Sequence, residues 1–163
     1  MVEFESAIKS LTGAKVDFVI VGGVAISIHS TGYITRDIDF CYSRTPENLR
    51  RIVSAFASFN PCLRGFPSNL PFVWDERTLQ NGTNFTLKTV IGDIDLLGEI
   101  AGIGDFHAVE KESILIKLYD SDVRVLTLDG LIKAKRAAGR TKDLLVLPEL
   151  EALREILSET DEE

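Results

Sequence analysis

Cysteine is scarce in this chain, and the two present, Cys41 and Cys62, have no CxxC spacing and no nearby histidine. A disulfide framework and a zinc site are therefore not expected. No apolar run approaches the roughly 20 residues that a membrane helix needs. The opening residues, MVEFESAIKS, are acidic and lack the apolar core of a signal peptide. The expectation is a cytoplasmic protein with no membrane partner. Residues 101–110 contain glycine but match neither GxGxxG nor a Walker loop, so dinucleotide and P-loop binding are unsupported. No motif places a serine or cysteine nucleophile beside His107.

An excess of positive charge is missing too. The net charge is −7, but residues 149–163 hold seven acids and one base. The rest of the chain is nearly neutral, and residues 128–142 carry five bases and one acid. That balance argues against nonspecific wrapping of a long duplex and leaves an anionic substrate open. By length the chain is one domain, large enough for a real core. We place that domain at residues 1–157, with residues 158–163 as an acidic, disordered tail.

What the sequence does have is concentrated in residues 16–42, VDFVIVGGVAISIHSTGYITRDIDFCY. Phe18–Val21 reads as a buried strand, Gly22-Gly23 as a turn, and Val24–His29 as a helix. Asp37-Ile38-Asp39-Phe40 then alternates as a half-buried strand does, so Asp37 and Asp39 face one side. Their Cα atoms would lie roughly 6.5–7 Å apart. Their oxygens can converge on one or two hard cations; without a cation they repel and raise each other's pKa. The glycine pair lets a phosphate approach the backbone at a helix start. Together these parts are equipment for phosphoryl or nucleotidyl transfer. The plain alternative is a strand–turn–helix carrying a surface Asp-x-Asp.

Around this stretch, residues 3–12 have helical spacing, and Thr45-Pro46 starts a helix running to about Phe59. Arg50 and Arg51 fall near its polar side. Residues 60–71 hold three prolines and a glycine and read as a long loop. Phe66, Phe72 and Trp74 either stack on a base or cover the core, and the core reading is preferred. Phe85–Val90 and Asp93–Leu97 form a hairpin that puts Asp93 and Asp95 on one side. Ile114–Tyr119 and Val123–Leu126 form another around Ser121-Asp122. A helix begins near Thr127 with Lys133, Arg136 and Arg140 on its rim. Thr141–Asp143 opens the last helix, which Pro148 should kink or restart. His29 reads as a helix-end residue near the core.

At Gly22-Gly23, Asp37-x-Asp39 and Asp95 the sequence resembles the nucleotidyltransferase superfamily, with its polymerase-β-like fold. The likeness covers roughly residues 16–145 and is nearest to small bacterial and archaeal members, some of them toxins of toxin–antitoxin pairs. It implies an α/β (α+β) fold: a twisted, mixed, mostly antiparallel sheet with helices packed on one face. It implies transfer of NMP from an NTP to an acceptor hydroxyl, with two Mg²⁺ ions. Asp37, Asp39 and Asp95 would be the catalytic and metal-binding carboxylates, Asp95 helping to activate the acceptor. Gly22 and Gly23 would seat the phosphates. Thr35, with Arg36, would position nucleotide beside the dyad, and Lys133 and Arg136, with Arg140 or Lys142, would neutralise phosphates. Relatives often carry arginine four residues before the first aspartate, where this chain has Tyr33. The acceptor is left open between RNA and a small molecule. Alternatives are a toxin-type enzyme acting on RNA and held by an antitoxin-like partner, and a degenerate member that binds a nucleotide or a protein without catalysis.

Overall fold

The computed structural model describes residues 3–29, 37–67 and 69–161. Helix α1 (Phe4–Gly13) buries Ala7, Ile8 and Leu11, the side its 3.6-residue repeat makes apolar. Strand β1 (Phe18–Val21) is buried along its whole length. Helix α2 (Gly22–His29) begins on the next residue. Strand β2 (Asp37–Tyr42) leads to helix α3 (Pro46–Phe56). The Thr45 hydroxyl accepts from the Asn48 N–H at 3.3 Å, with Pro46 in the first helical position.

Several short elements follow. Strand β3 (Cys62–Leu63) and helix α4 (Glu76–Gln80) precede the hairpin of β4 (Asn84–Thr89) and β5 (Gly92–Leu97). A small hairpin of β6 (Glu99–Ile100) and β7 (Gly104–Asp105) runs into helix α5 (Phe106–Lys111). Strands β8 (Ser113–Leu118) and β9 (Ser121–Leu126) form the next hairpin. Helices α6 (Leu128–Ala138) and α7 (Thr141–Asp161) complete the described chain.

Seven strands make one mixed sheet in the order β3-β4-β5-β2-β1-β9-β8. The β2–β5 and β1–β9 pairs are parallel and the other pairs antiparallel. This is the mixed, mostly antiparallel α/β architecture that the family resemblance implied. Ile38, Phe40, Ile94 and Leu96 from the central strands join Ile8, Leu11, Leu49, Ile52 and Phe56 in one buried cluster. Buried Asn48 ties the layers together. Its Oδ1 accepts from the Asp17 N–H at 2.7 Å, and its Nδ2 donates to the Ser43 carbonyl at 2.7 Å. Trp74 belongs to the same framework, donating to the Val53 carbonyl at 3.0 Å and stacking on Phe56. Among the described residues no helix is long and apolar enough to cross a membrane.

The differences from the residue pattern are local. The stretch 60–71 contains the two-residue edge strand β3, held by pairing with β4 rather than by any periodicity of its own. Helices α4 and α5 are too short to leave a periodic signal; each starts on an aspartate, Asp75 or Asp105, whose side chain accepts a backbone N–H. The second hairpin turns at Tyr119-Asp120, both at positive φ, two residues before the expected turn at Ser121-Asp122. Helix α7 runs through Pro148, with Leu147 and Leu150 buried beside it. It continues to Asp161, past Ser158 where a disordered tail was expected.

Candidate active site

Two strand registers assemble the site. In the antiparallel β1–β2 pair Val21 stands opposite Asp39, which brings the start of α2 to that aspartate. In the parallel β2–β5 pair Asp37 stands beside Asp93, and Asp39 beside Asp95. Side chains at paired positions share a face. One oxygen each from Asp37, Asp39 and Asp95 lie within 4.8 Å of one another. Two carboxylates of β2 and one of β5, distant in sequence, thus converge at the point where the β1–α2 turn meets the sheet.

Gly22 makes that convergence possible. Its φ is +66°, a conformation L side chains rarely adopt, and a methyl group there would overlap the Asp39 carboxylate, with Cγ only 2.9 Å away. Gly23 lies in the first turn of α2, its carbonyl accepting from the Ser27 hydroxyl at 3.0 Å.

The electrostatics follow from crowding. Burial first, then the negative charges of Asp95 and Asp37, push the Asp39 carboxyl up to about 7. Burial also raises Asp95, against the opposing charge and hydrogen bond of Arg64. Asp39 Oδ1 is buried and, among the described residues, has no hydrogen-bond partner. An orphaned oxygen within a cluster of like charges is a costly arrangement for the protein alone. A hard cation would remove both penalties, and an all-oxygen donor set suits Mg²⁺ or Mn²⁺ rather than zinc. Asp37, Asp39 and Asp95 therefore fit a divalent ion.

A cavity of about 170 Å³ opens beside Asp39 and Gly22, walled by Leu126 and Leu131, with Lys135, Arg140 and Asp143 among its lining. Asp143 is fully buried and organises the cations. It accepts from Lys135 Nζ at 3.0 Å and from Arg140 Nε at 2.6 Å. Burial pushes Asp143 up, but the hydrogen bonds and charges of Arg140 and Lys135 outweigh it and hold the carboxyl at about 2. The positive charge of Lys135 also acts on Asp39.

The expected cationic residues divide accordingly. Lys133 and Arg136 are not among the residues that line the cavity; they are half-exposed, at 52% and 63%, and paired with Glu112 and Glu151 at 2.6 Å each. Lys135, which the rim pattern passed over, is only 18% exposed and lines the cavity. Helical geometry separates them: Lys135 shares its face with Leu131 and Ala138, while Lys133 and Arg136 sit to either side. The signal available in the sequence was the apolar spacing Leu131-x-x-Ala134-Lys135-x-x-Ala138. Arg64 was missed as well, because it stood in a stretch read as loop; its Nη2 donates to Asp95 Oδ1 at 2.8 Å. Thr35, Arg36 and Tyr33 lie outside the described residues. His29 Nε2 donates to the Leu126 carbonyl at 2.9 Å, which fixes the tautomer with the proton on Nε2. Arg50 and Arg51 pair with Glu76 and Glu47 on the surface.

Solved structures of other proteins share this fold. The lincosamide antibiotic adenylyltransferase LnuA, solved with lincomycin bound, is 12% identical, with a TM-score of 0.59 over 93% of this chain and 98% of that one. ANT(2")-Ia, in complex with adenylyl-2"-tobramycin, is 14% identical, with a TM-score of 0.53 over 96% and 95% of the two chains. An antigenic nucleotidyltransferase-like protein from Paracoccidioides brasiliensis is 13% identical, with a TM-score of 0.54 over 92% and 73%. No curated protein sequence matches the chain. The family model described as "Nucleotidyltransferase of unknown function (DUF6036)" matches residues 2–95, more than half the chain and the whole span from the glycine pair to the third carboxylate, and the chain belongs to that family.

Proposed function

We propose that this protein transfers a nucleoside monophosphate from an NTP, ATP first among them, to an acceptor hydroxyl, using a divalent ion held by Asp37, Asp39 and Asp95. The observation that carries this reading is the meeting of the three carboxylates beside Gly22, with one buried oxygen of Asp39 left without a partner among the described residues. The ion would neutralise the triphosphate and the developing charge on the leaving pyrophosphate. The chain's own residues do the rest. Gly22 and Gly23 leave the backbone open to phosphate at the start of α2. Lys135 and Arg140, held by buried Asp143, face the same cavity with positive charge. Asp95 takes the proton of the acceptor hydroxyl as the acceptor oxygen bonds to the α-phosphorus. The bond from that phosphorus to the pyrophosphate oxygen breaks, and pyrophosphate leaves.

A small hydroxylated acceptor is the favoured class. LnuA and ANT(2")-Ia, matched over nearly their whole length, are solved with an antibiotic or an adenylylated antibiotic. The RNA reading, with an antitoxin-like partner, came from the resemblance to toxin-type members; of the basic rim of α6 that would contact RNA phosphates, Lys133 and Arg136 are paired with Glu112 and Glu151. The test is incubation with each α-labelled NTP, Mg²⁺, and either total RNA or a panel of hydroxylated small molecules. Label appearing in a small-molecule product supports the reading; label in RNA alone moves the acceptor to nucleic acid; no labelled product with any NTP favours the degenerate, binding-only alternative.

A further inference from the structure

We propose that Arg64 is the positioning residue for Asp95: it grips one oxygen of that carboxylate while Asp93 and the Leu87 carbonyl fix the guanidinium itself. The inference rests on the transfer reading above and assigns a role outside the carboxylate triad.

The geometry is specific. Arg64 Nη2 donates to Asp95 Oδ1 at 2.8 Å and to the Leu87 carbonyl at 2.9 Å. Arg64 Nε lies 3.3 Å from Asp93 Oδ2. That nitrogen is buried and makes no hydrogen bond among the described residues, so its contact with Asp93 is an ion pair without hydrogen-bond alignment. The backbone fixes the origin of the side chain. Arg64 follows edge strand β3 and donates its own N–H to the Thr86 carbonyl at 2.9 Å, and Thr86 pairs with Asp95 across β4–β5. The arginine is thus anchored at both ends to the strand beside its target, and its side chain is about two-thirds buried, at 31% exposure.

Such an anchor does two things. A carboxylate that accepts a proton from an acceptor must be held in one orientation, and a charge-assisted hydrogen bond holds it. The guanidinium also places a positive charge against the triad, which opposes the entry of a further cation. Removing Arg64 should therefore move two quantities in opposite directions. Turnover should fall because Asp95 is no longer held. Affinity for a metal ion alone should rise because the competing charge has gone. A merely structural ion pair gives no such opposition: its loss weakens both.

The experiment uses the full chain as wild type, Arg64→Gln, Arg64→Lys and Asp93→Asn. Mn²⁺ alone is titrated without nucleotide, with free Mn²⁺ followed by electron paramagnetic resonance, and kcat and KM for NTP are measured with the acceptor found above. Arg64→Gln should bind Mn²⁺ about fivefold more tightly. Its kcat should drop about tenfold or more while KM for NTP stays within about twofold. Arg64→Lys should restore the wild-type Mn²⁺ affinity but only part of kcat, because one ammonium does not bridge Asp95, Asp93 and a carbonyl as the fork does. Unchanged or weaker Mn²⁺ binding in a folded Arg64→Gln overturns the assignment. If Arg64→Gln does not fold, Asp93→Asn decides: it should lower kcat severalfold at constant KM, and an unchanged kcat overturns the assignment. Absence of Mn²⁺ binding in wild type and every variant removes the metal-dependent reading and this assignment with it, whereas binding equal in wild type and Arg64→Gln removes the assignment alone.

Discussion

Gly22 and Asp39 compete for one small volume: the Asp39 carboxylate fills the space in which any Cβ on residue 22 would have to sit. The glycine is therefore a condition of the carboxylate cluster and not only of the turn. Gly22→Ala adds positive-φ strain of about 1–2 kcal/mol and displaces Asp39. The expected result is a lower melting temperature together with transfer reduced by about tenfold or more. Thermal unfolding and a labelled-NTP assay on the same preparation check both parts. A Gly22→Ala protein with wild-type transfer would separate the turn from the chemistry.

Asp39 gives the metal-free protein a pH dependence of a particular sign. Its carboxyl, ordinarily near 3.8, is pushed up to about 7 in the folded state. Between those values the folded protein holds a proton that the unfolded chain has already released. Stability without metal should therefore decline as the pH rises from about 4 through about 7. A divalent ion must displace that proton, so binding below pH 7 should release protons and tighten as the pH rises. Calorimetry in two buffers of different ionisation enthalpy measures the release. Asp39→Asn should abolish it, and equal apparent enthalpies in the two buffers for wild type would count against the coupling.

Asp143 predicts the opposite sign at lower pH. Its folded value of about 2 lies below the ordinary 3.8, so its contribution is complete above about 4 and lost as the pH falls toward 2. Asp143→Ala leaves Lys135 and Arg140 facing each other without their shared anion. Because Arg140 is largely exposed, we expect a cost of about 2 kcal/mol rather than that of a fully buried pair. Urea unfolding at pH 7 and at pH 3 should show a large difference between wild type and variant at the first and a smaller one at the second.

Two lysines two residues apart on α6 should behave differently. Lys135→Ala removes a cation from the wall of the Asp39 cavity and should raise KM for NTP about tenfold. Lys133→Ala removes one half of an exposed pair with Glu112 and should change stability by less than about 1 kcal/mol, with little effect on NTP. Parallel kinetics on the two variants check this. Equal effects would return the phosphate contact to the rim of α6.

The glycine pair, the Asp37-x-Asp39 alternation and the hairpin carrying Asp95 were all legible because each rests on local rules: period two in strands, positive φ at glycine, turns between apolar runs. The mixed sheet followed from the resemblance those residues carry. What local rules could not give is register. That Asp39 stands beside Asp95 depends on the parallel β2–β5 pairing, which joins strands more than fifty residues apart. The same limit hid Arg64, which follows a strand that exists only through its pairing with β4, and Lys135, which lines the cavity only because of the way α6 faces with α7 packed on it. The rim arginines and lysines were visible as charge, but their partners Glu112 and Glu151 come from other elements.

The central claim, that Asp37 and Asp39 hold the ion that carries out transfer, is tested most directly by measuring release of labelled product from α-labelled ATP by wild type, Asp37→Asn and Asp39→Asn at saturating Mg²⁺. Each substitution keeps the volume and removes an anionic ligand. The account predicts a loss of two or more orders of magnitude, on the order of 3 kcal/mol in the barrier or above, in variants that stay folded. It also predicts that metal-free Asp39→Asn melts at or above wild type, because a repelled charge has been removed. Wild-type rates in both variants would contradict it.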